Sequence, residues 1–161
     1  MSDKATARID SFDRKILSLV QQSNRTTSEQ IAERVGLSPA AVQRRLKKMR
    51  EQHIIQADVS VVSPKAVGRP VTLLVQVTLE REQADLIDQF KKEMKLNPAV
   101  QQCYYVTGSS DFMLIITAKD MEDYEALTRK IFFANRNIRS FLTNVVMDSV
   151  KTTLCVPVSE D

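Results

Sequence analysis

The sequence predicts an α+β chain in two parts: a small helical unit over the first third, then strands and helices in the order β-α-β-β-α-β. Three observations carry this. Apolar residues recur at helical spacing as far as about Glu51 and at a period of two from Val71. Proline and glycine gather between them, at Ser63-Pro64 and Gly68-Arg69-Pro70. The positive excess lies in the first part: residues 1–60 hold eleven Lys/Arg against seven Asp/Glu, and residues 61–161 hold twelve against thirteen, within a net charge of +3. The expected division is a first domain over 1–62, a linker over 63–70 and a second domain over 71–161.

In the first domain, Asp10 or Ser11 caps a helix with Phe12, Ile16, Leu19 and Val20 on one face. A break at Ser23-Asn24 follows. Thr26 or Thr27 starts a second helix, with Glu29 or Gln30 near the capping-box position and Ile31 and Val35 turned inward. Gly36 gives the backbone freedom of a tight turn and Leu37 plugs the core. Ser38 caps a third helix, and Pro39 occupies its first position, where no amide is needed. Val42, Leu46 and Met49 face inward; Ala40, Arg44, Lys47 and Lys48 fall on the opposite side, with Gln43 and Arg45 on the flanks. Ile54 to Val62 is β-rich and reads as a small wing or a connecting strand.

In the second domain, Val71, Leu73, Val75, Val77 and Leu79 alternate with Thr72, Leu74, Gln76 and Thr78 in a strand. A helix over Ala84–Lys95 turns Leu86, Ile87, Phe90 and Met94 inward. Strands follow over Val100–Thr107 and Phe112–Ala118, joined by Gly108-Ser109-Ser110-Asp111. Asp120 caps a helix that is acidic early and basic late, with an apolar stripe of Met121, Tyr124, Leu127 and Ile131. A last strand spans Phe141–Lys151. This order is the ferredoxin-like arrangement, an antiparallel sheet with helices on one face.

Apolar residues make up 43% of the chain, which argues against disorder. Met1–Thr6 lacks the apolar region of a secretory signal, and runs such as Phe112–Ile116 are too short to span a bilayer; a cytoplasmic protein is expected. Cys103 and Cys155 stand far apart in no metal-like spacing, so no metal site and no disulfide framework is expected. One histidine, His53, and the lack of a phosphate-binding glycine loop or nucleophile motif argue against an enzyme; no catalytic residue and no cofactor is expected.

A helix, a short turn and a proline-started helix with five cations in the seven residues Arg44–Arg50 make a (winged) helix-turn-helix. Such a helix can lie in the major groove of double-stranded DNA. Ser38, Pro39, Ala40, Gln43 and Arg44 are then candidates near bases and their flanking phosphates, and Arg45, Lys47 and Lys48 candidates for positioning on the backbone. Thr27 and Ser28 can donate to a phosphate at the start of the second helix. The competing reading is a trihelical protein-binding adaptor whose cations form a solvated face.

The combination resembles the Lrp/AsnC (feast/famine) transcription regulators. Ile9-Asp10 followed by Asp13-Arg14-Lys15-Ile16-Leu17 is similar to that family's opening, and so is Val35-Gly36-Leu37-Ser38-Pro39 with Val42 and Arg45 behind it. Val106-Thr107-Gly108 with Asp111, Asp120-Met121 with Tyr124, and Val145-Val146-Met147 leading to Val150-Lys151 look like its effector (RAM) domain. The likeness runs in one order over about residues 8–156. It implies a transcription regulator that forms homodimers and from them tetramers or octamers, acts on imperfect palindromic promoter sites, and binds an amino acid or related metabolite between dimers. By matching position the implied effector residues are Tyr105, Gly108, Ser109, Ser110, Asp111, Met121, Asn144, Val145 and Val146. Two positions depart from the pattern. Ser109 stands where the family commonly has an acid, and Gln52-His53 stand where it commonly has glycine after the recognition helix. Ser109 keeps a ligand-independent, architectural DNA-wrapping protein open as an alternative.

Overall fold

Each helix of the first unit begins where a side chain takes the place of a missing backbone partner. The computed structural model describes residues 9–158. Helix α1 (Ser11–Gln22) starts with a reciprocal capping box: Asp13 N–H donates to the Asp10 carboxylate at 2.8 Å, and Asp10 N–H donates to the Asp13 carboxylate at 3.2 Å. Helix α2 (Ser28–Val35) repeats the device with Thr27 and Gln30. It stops at Gly36, whose φ of 73° is the left-handed conformation of a helix end. Helix α3 (Pro39–Glu51) begins with the Ser38 hydroxyl accepting from Ala41 N–H at 3.2 Å.

The three helices share one core of Ile16, Leu17, Ile31, Ala32, Val35, Val42, Leu46 and Met49, with Leu37 packed at its margin. Each large side chain buried there is worth roughly 1.5–3 kcal/mol against exposure. Phe12, expected inside, is instead 37% exposed and lies beneath the Arg45 guanidinium at 5.6 Å; Leu17 fills the core. Residues 54–62 form no strand, because no neighbouring strand of the unit offers a ladder to a β-rich segment. Ile54 and Ile55 pack on the core, and Asp58 is fixed by Arg50 Nε at 2.8 Å.

The second unit is a four-stranded antiparallel sheet in the order β2-β3-β1-β4, from β1 (Val71–Leu79), β2 (Val100–Tyr105), β3 (Phe112–Ala118) and β4 (Ile138–Val145). Helices α4 (Ala84–Leu96) and α5 (Met121–Thr128) supply Ile87, Phe90, Met94 and Tyr124 to the core on one face. A π-turn over Arg129–Phe133 extends α5 and adds Ile131 and Phe132. Met121, expected in the apolar stripe, is 51% exposed at the start of α5. The other sheet face carries Leu74 and Leu142, both exposed, and half-buried Met113 and Ile115 in register beside them.

The strand ends differ from those the sequence suggests, for reasons of pairing. Strand β2 stops at Tyr105 because Val106 N–H already closes the turn onto Asp111 O. Strand β4 begins at Ile138, opposite Leu79, and its pairing ends when Val146 N–H reaches Thr72 O, since β1 itself starts at Val71.

The boundaries also shift. The chain divides into residues up to Val61 plus those from Lys151 onward, and Val62–Val150. The expected linker is ordered within the second unit. Lys65–Val67 makes a 3-10 turn, and Arg69 donates to the Thr117 side chain and carbonyl and pairs with Asp123 at 3.6 Å. The last described residues, expected in the second domain, lie on α1 instead. The Gln21 amide brackets the Val156 backbone, accepting from its N–H at 2.8 Å and donating to its carbonyl at 3.1 Å. Cys155 Sγ adds a contact to the Gln21 carbonyl at 3.2 Å.

Candidate nucleic-acid interface and effector loop

The turn chemistry of Gly36-Leu37-Ser38-Pro39 fixes where α3 begins, and its buried stripe fixes which face it shows. Ser38, Pro39, Ala40, Gln43, Arg44, Lys47 and Lys48 are all exposed along that face. Lys47 has only a long contact to Glu51, 3.9 Å, between two well-exposed side chains. Thr27 is exposed and Ser28 half-buried at the start of α2. The Ser38 oxygen accepts a capping bond, which leaves its hydroxyl hydrogen for an outside acceptor; the Thr27 oxygen accepts one too, while its hydroxyl also donates to the Glu29 carboxylate.

Arg45 is placed differently from its neighbours. Its Nη1 lies 2.7 Å from Asp10 Oδ2 and 2.8 Å from Asp13 Oδ1, and its side chain is 25% exposed. The hydrogen bonds it donates to Asp13 and Asp10 raise its pKa further. The capping bond from the Asp13 amide, with help from Arg45, holds the Asp10 carboxyl below its usual range. Arg45 therefore ties the third helix to the capping box of the first, which differs from the phosphate-positioning role expected of it. An acidic pair three residues apart before a helix was the visible signal; the partner on another helix was not. After α3, His53 has a φ of 56°, the left-handed conformation that the position's usual glycine adopts freely.

Gly108, at φ 127°, lets the β2–β3 turn fold back on β1. Ser110 is buried, and Asp111 receives Leu79 N–H at 2.6 Å while its own N–H donates to Val77 O. A cavity of about 270 Å³ opens beside Gly108, Ser109, Ser110 and Asp111, closed on its other sides by Glu80, Glu82 and Arg139. The ladder shift at Thr78/Leu79 leaves Arg139 unopposed between Ile138 and Ser140, and a bulge of this kind re-aims a side chain. None of Glu80, Glu82 and Arg139 has an ion-pair partner among the described residues. These three went unnoticed in the sequence, because neither the bulge nor the convergence of β1, β4 and the turn is local.

Of the remaining effector candidates, Met121, Asn144, Val145 and Val146 are not beside this loop. Val145 pairs with Leu73, Asn144 with Leu74, and Val146 N–H binds Thr72 O. Met121 follows Ala118, which pairs with Val71. This group sits four to six positions along β1 from the loop, roughly 13–20 Å at about 3.3 Å per residue. Tyr105 lines another cavity, against Phe112 and Lys91.

An exposed cationic helix in a helix-turn-helix, followed by an α+β domain with its own small cavity, defines a DNA-binding transcriptional regulator. Residues 9–56 match the model of the winged helix-turn-helix DNA-binding family, and residues 72–154 match that of the Lrp/AsnC ligand binding domain. The chain belongs to the Lrp/AsnC family. It is 56% identical to the HTH-type transcriptional regulator y4tD of Sinorhizobium fredii, over 93% of this chain and 89% of that one. It is 28% identical to the leucine-responsive regulatory protein of Haemophilus influenzae, over 95% and 92% of the two chains. A transcriptional regulator of Neisseria meningitidis, solved with L-Met, superposes with a TM-score of 0.86 at 26% identity, covering 93% of this chain and 97% of that one. No helix among the described residues is long and apolar enough to cross a membrane.

Proposed function

We propose that this regulator binds imperfect palindromic DNA as an assembly of paired chains and answers to an amino acid held beside the Gly108–Asp111 loop. Arg44, Lys47 and Lys48 meet phosphates, while Ser38, Pro39, Ala40 and Gln43 approach base edges; Thr27 and Ser28 donate to a phosphate at α2. Two recognition helices related by a two-fold axis then meet grooves roughly 34 Å apart. The apolar, open face of the sheet around Leu74 and Leu142 supports pairing through the second unit.

The observation that carries the amino-acid reading is the mixed charge of the loop cavity. Glu80, Glu82 and Asp111 suit an ammonium, and Arg139 suits a carboxylate. Glu80 and Glu82 supply the acid that Ser109 lacks. The distance of Met121, Asn144, Val145 and Val146 from the loop favours a site completed by a second copy. A ligand there acts on DNA only through a difference in affinity between assemblies.

The test is a thermal-shift panel of the twenty amino acids with the full-length protein. A saturable rise in Tm for one compound, lost in Arg139→Gln, is the expected result. A flat panel overturns the effector reading. It favours instead the architectural, DNA-wrapping alternative, for which the engagement of Asp111 by Leu79 N–H speaks. An Arg44→Ala, Lys47→Ala double variant with undiminished DNA affinity overturns the assignment of α3 to DNA.

A further inference from the structure

A second cavity, of about 450 Å³, lies between the C-terminal half of α4 and the edge strand β2. Its size is that of a small-molecule site. Met94, Val100 and Phe112 give it an apolar floor, and the Tyr105 ring stands against Phe112 with centroids 5.0 Å apart. Lys91 and Lys95 line the same space. Lys91 Nζ sits 4.9 Å from the centre of the Tyr105 ring, and its only ion pair among the described residues is an exposed contact to Asp88 at 3.4 Å. Lys95 has no ion-pair partner among the described residues. The β2 ladder shifts between Val100 and Gln102, and the unopposed Gln101 lines the cavity with a free amide. Burial pushes the Cys103 thiol up against the pull of Lys91, so the thiol stays neutral there.

The charge here differs in kind from that beside Gly108. No carboxylate lines this space, whereas three line the other. An aromatic, apolar floor with two ammonium groups and no acid suits an anion with a flat apolar body and no positive charge of its own. We propose that this cavity is a second ligand site, which takes a small aromatic carboxylate lacking an ammonium group, such as a 2-oxo acid. It stands apart from the amino-acid reading of the loop and does not depend on it.

The test uses full-length protein carrying ¹³C at the methionine methyls. Met94 lines this cavity, while Met113, whose sulfur lies 3.8 Å from Ser110 Oγ, reports on the loop. Phenylpyruvate is expected to move the Met94 methyl saturably and to leave Met113 in place. L-Phenylalanine, the same body with an ammonium group, is expected to bind at Met94 at least tenfold more weakly. A Lys91→Gln, Lys95→Gln double variant changes two exposed side chains; it should keep its Tm and raise the phenylpyruvate Kd at least tenfold. A Met94 methyl unmoved by millimolar phenylpyruvate overturns the proposal, as does equal binding of phenylalanine or an unchanged Kd in the double variant. A Met94 shift that follows protein concentration instead also overturns it, marking the cavity as a contact between copies. Failure of the amino-acid reading shows separately, as a Met113 methyl indifferent to all amino acids.

Discussion

Replacing Arg45 with methionine keeps the aliphatic stem and removes the guanidinium that joins α3 to α1. Two charge-assisted bonds go, to Asp10 at 2.7 Å and Asp13 at 2.8 Å. Each such bond is worth about 1.5–3 kcal/mol when well shielded. The Asp10 side chain is 50% exposed, so solvent screens that bond heavily. Asp13 is nearly buried and keeps the Asp10 amide as its hydrogen-bond partner among the described residues. The two effects together come to about 2 kcal/mol, or roughly 4–8 °C in Tm for a chain of this size. The assay pairs a melt of the free protein with DNA affinity measured across a salt series. An internal tie lowers Tm and leaves the slope of log K against log salt unchanged. A phosphate contact does the reverse, cutting the slope by about 0.9 with Tm unmoved. That second pattern would refute the reasoning.

Two further outcomes follow from the same unit. The Asp10 carboxyl is held below its ordinary value of 3.8, chiefly by the Asp13 amide; a depressed carboxyl stabilises above its unfolded pKa and loses that contribution as pH falls through the folded one. Asp10→Asn keeps a good cap, so wild type and variant should differ in urea midpoint above about pH 5 and converge as pH drops below 3.8. A difference that persists at low pH would show that the charge is not its source. His53→Gly should raise Tm, since relief of left-handed strain of about 1–2 kcal/mol exceeds the roughly 0.5–1 kcal/mol entropic cost of glycine. A lower Tm would mean that His53 makes a contact outweighing its φ of 56°.

What the sequence made legible follows the range of each signal. Caps, turns and apolar stripes are local, so Gly36, Ser38 and the stripe Val42, Leu46, Met49 were readable in the sequence, and the caps Asp10 and Thr27 to within one residue. So was the β-α-β-β-α-β order. The ends of β2 and β4 were not, because a strand stops where its pairing stops: Thr72, which ends β4, lies far from it along the chain, and β2 ends at a turn closed by a bond from Val106 N–H to Asp111 O that residue types do not signal. Arg45 read as one more cation of a basic helix, for its partners stand 32 and 35 residues earlier. The loop Gly108–Asp111 was visible, while Arg139 depended on a bulge that no residue type announces.

The return of the chain to α1 gives the first unit two covalent attachments, one at Val61–Val62 and one at Val150–Lys151. Strand β4 ends at Val145, six positions before Lys151, the first residue of the segment that Gln21 clasps. The first unit is therefore completed only by chain made after the whole of the second unit has been synthesised.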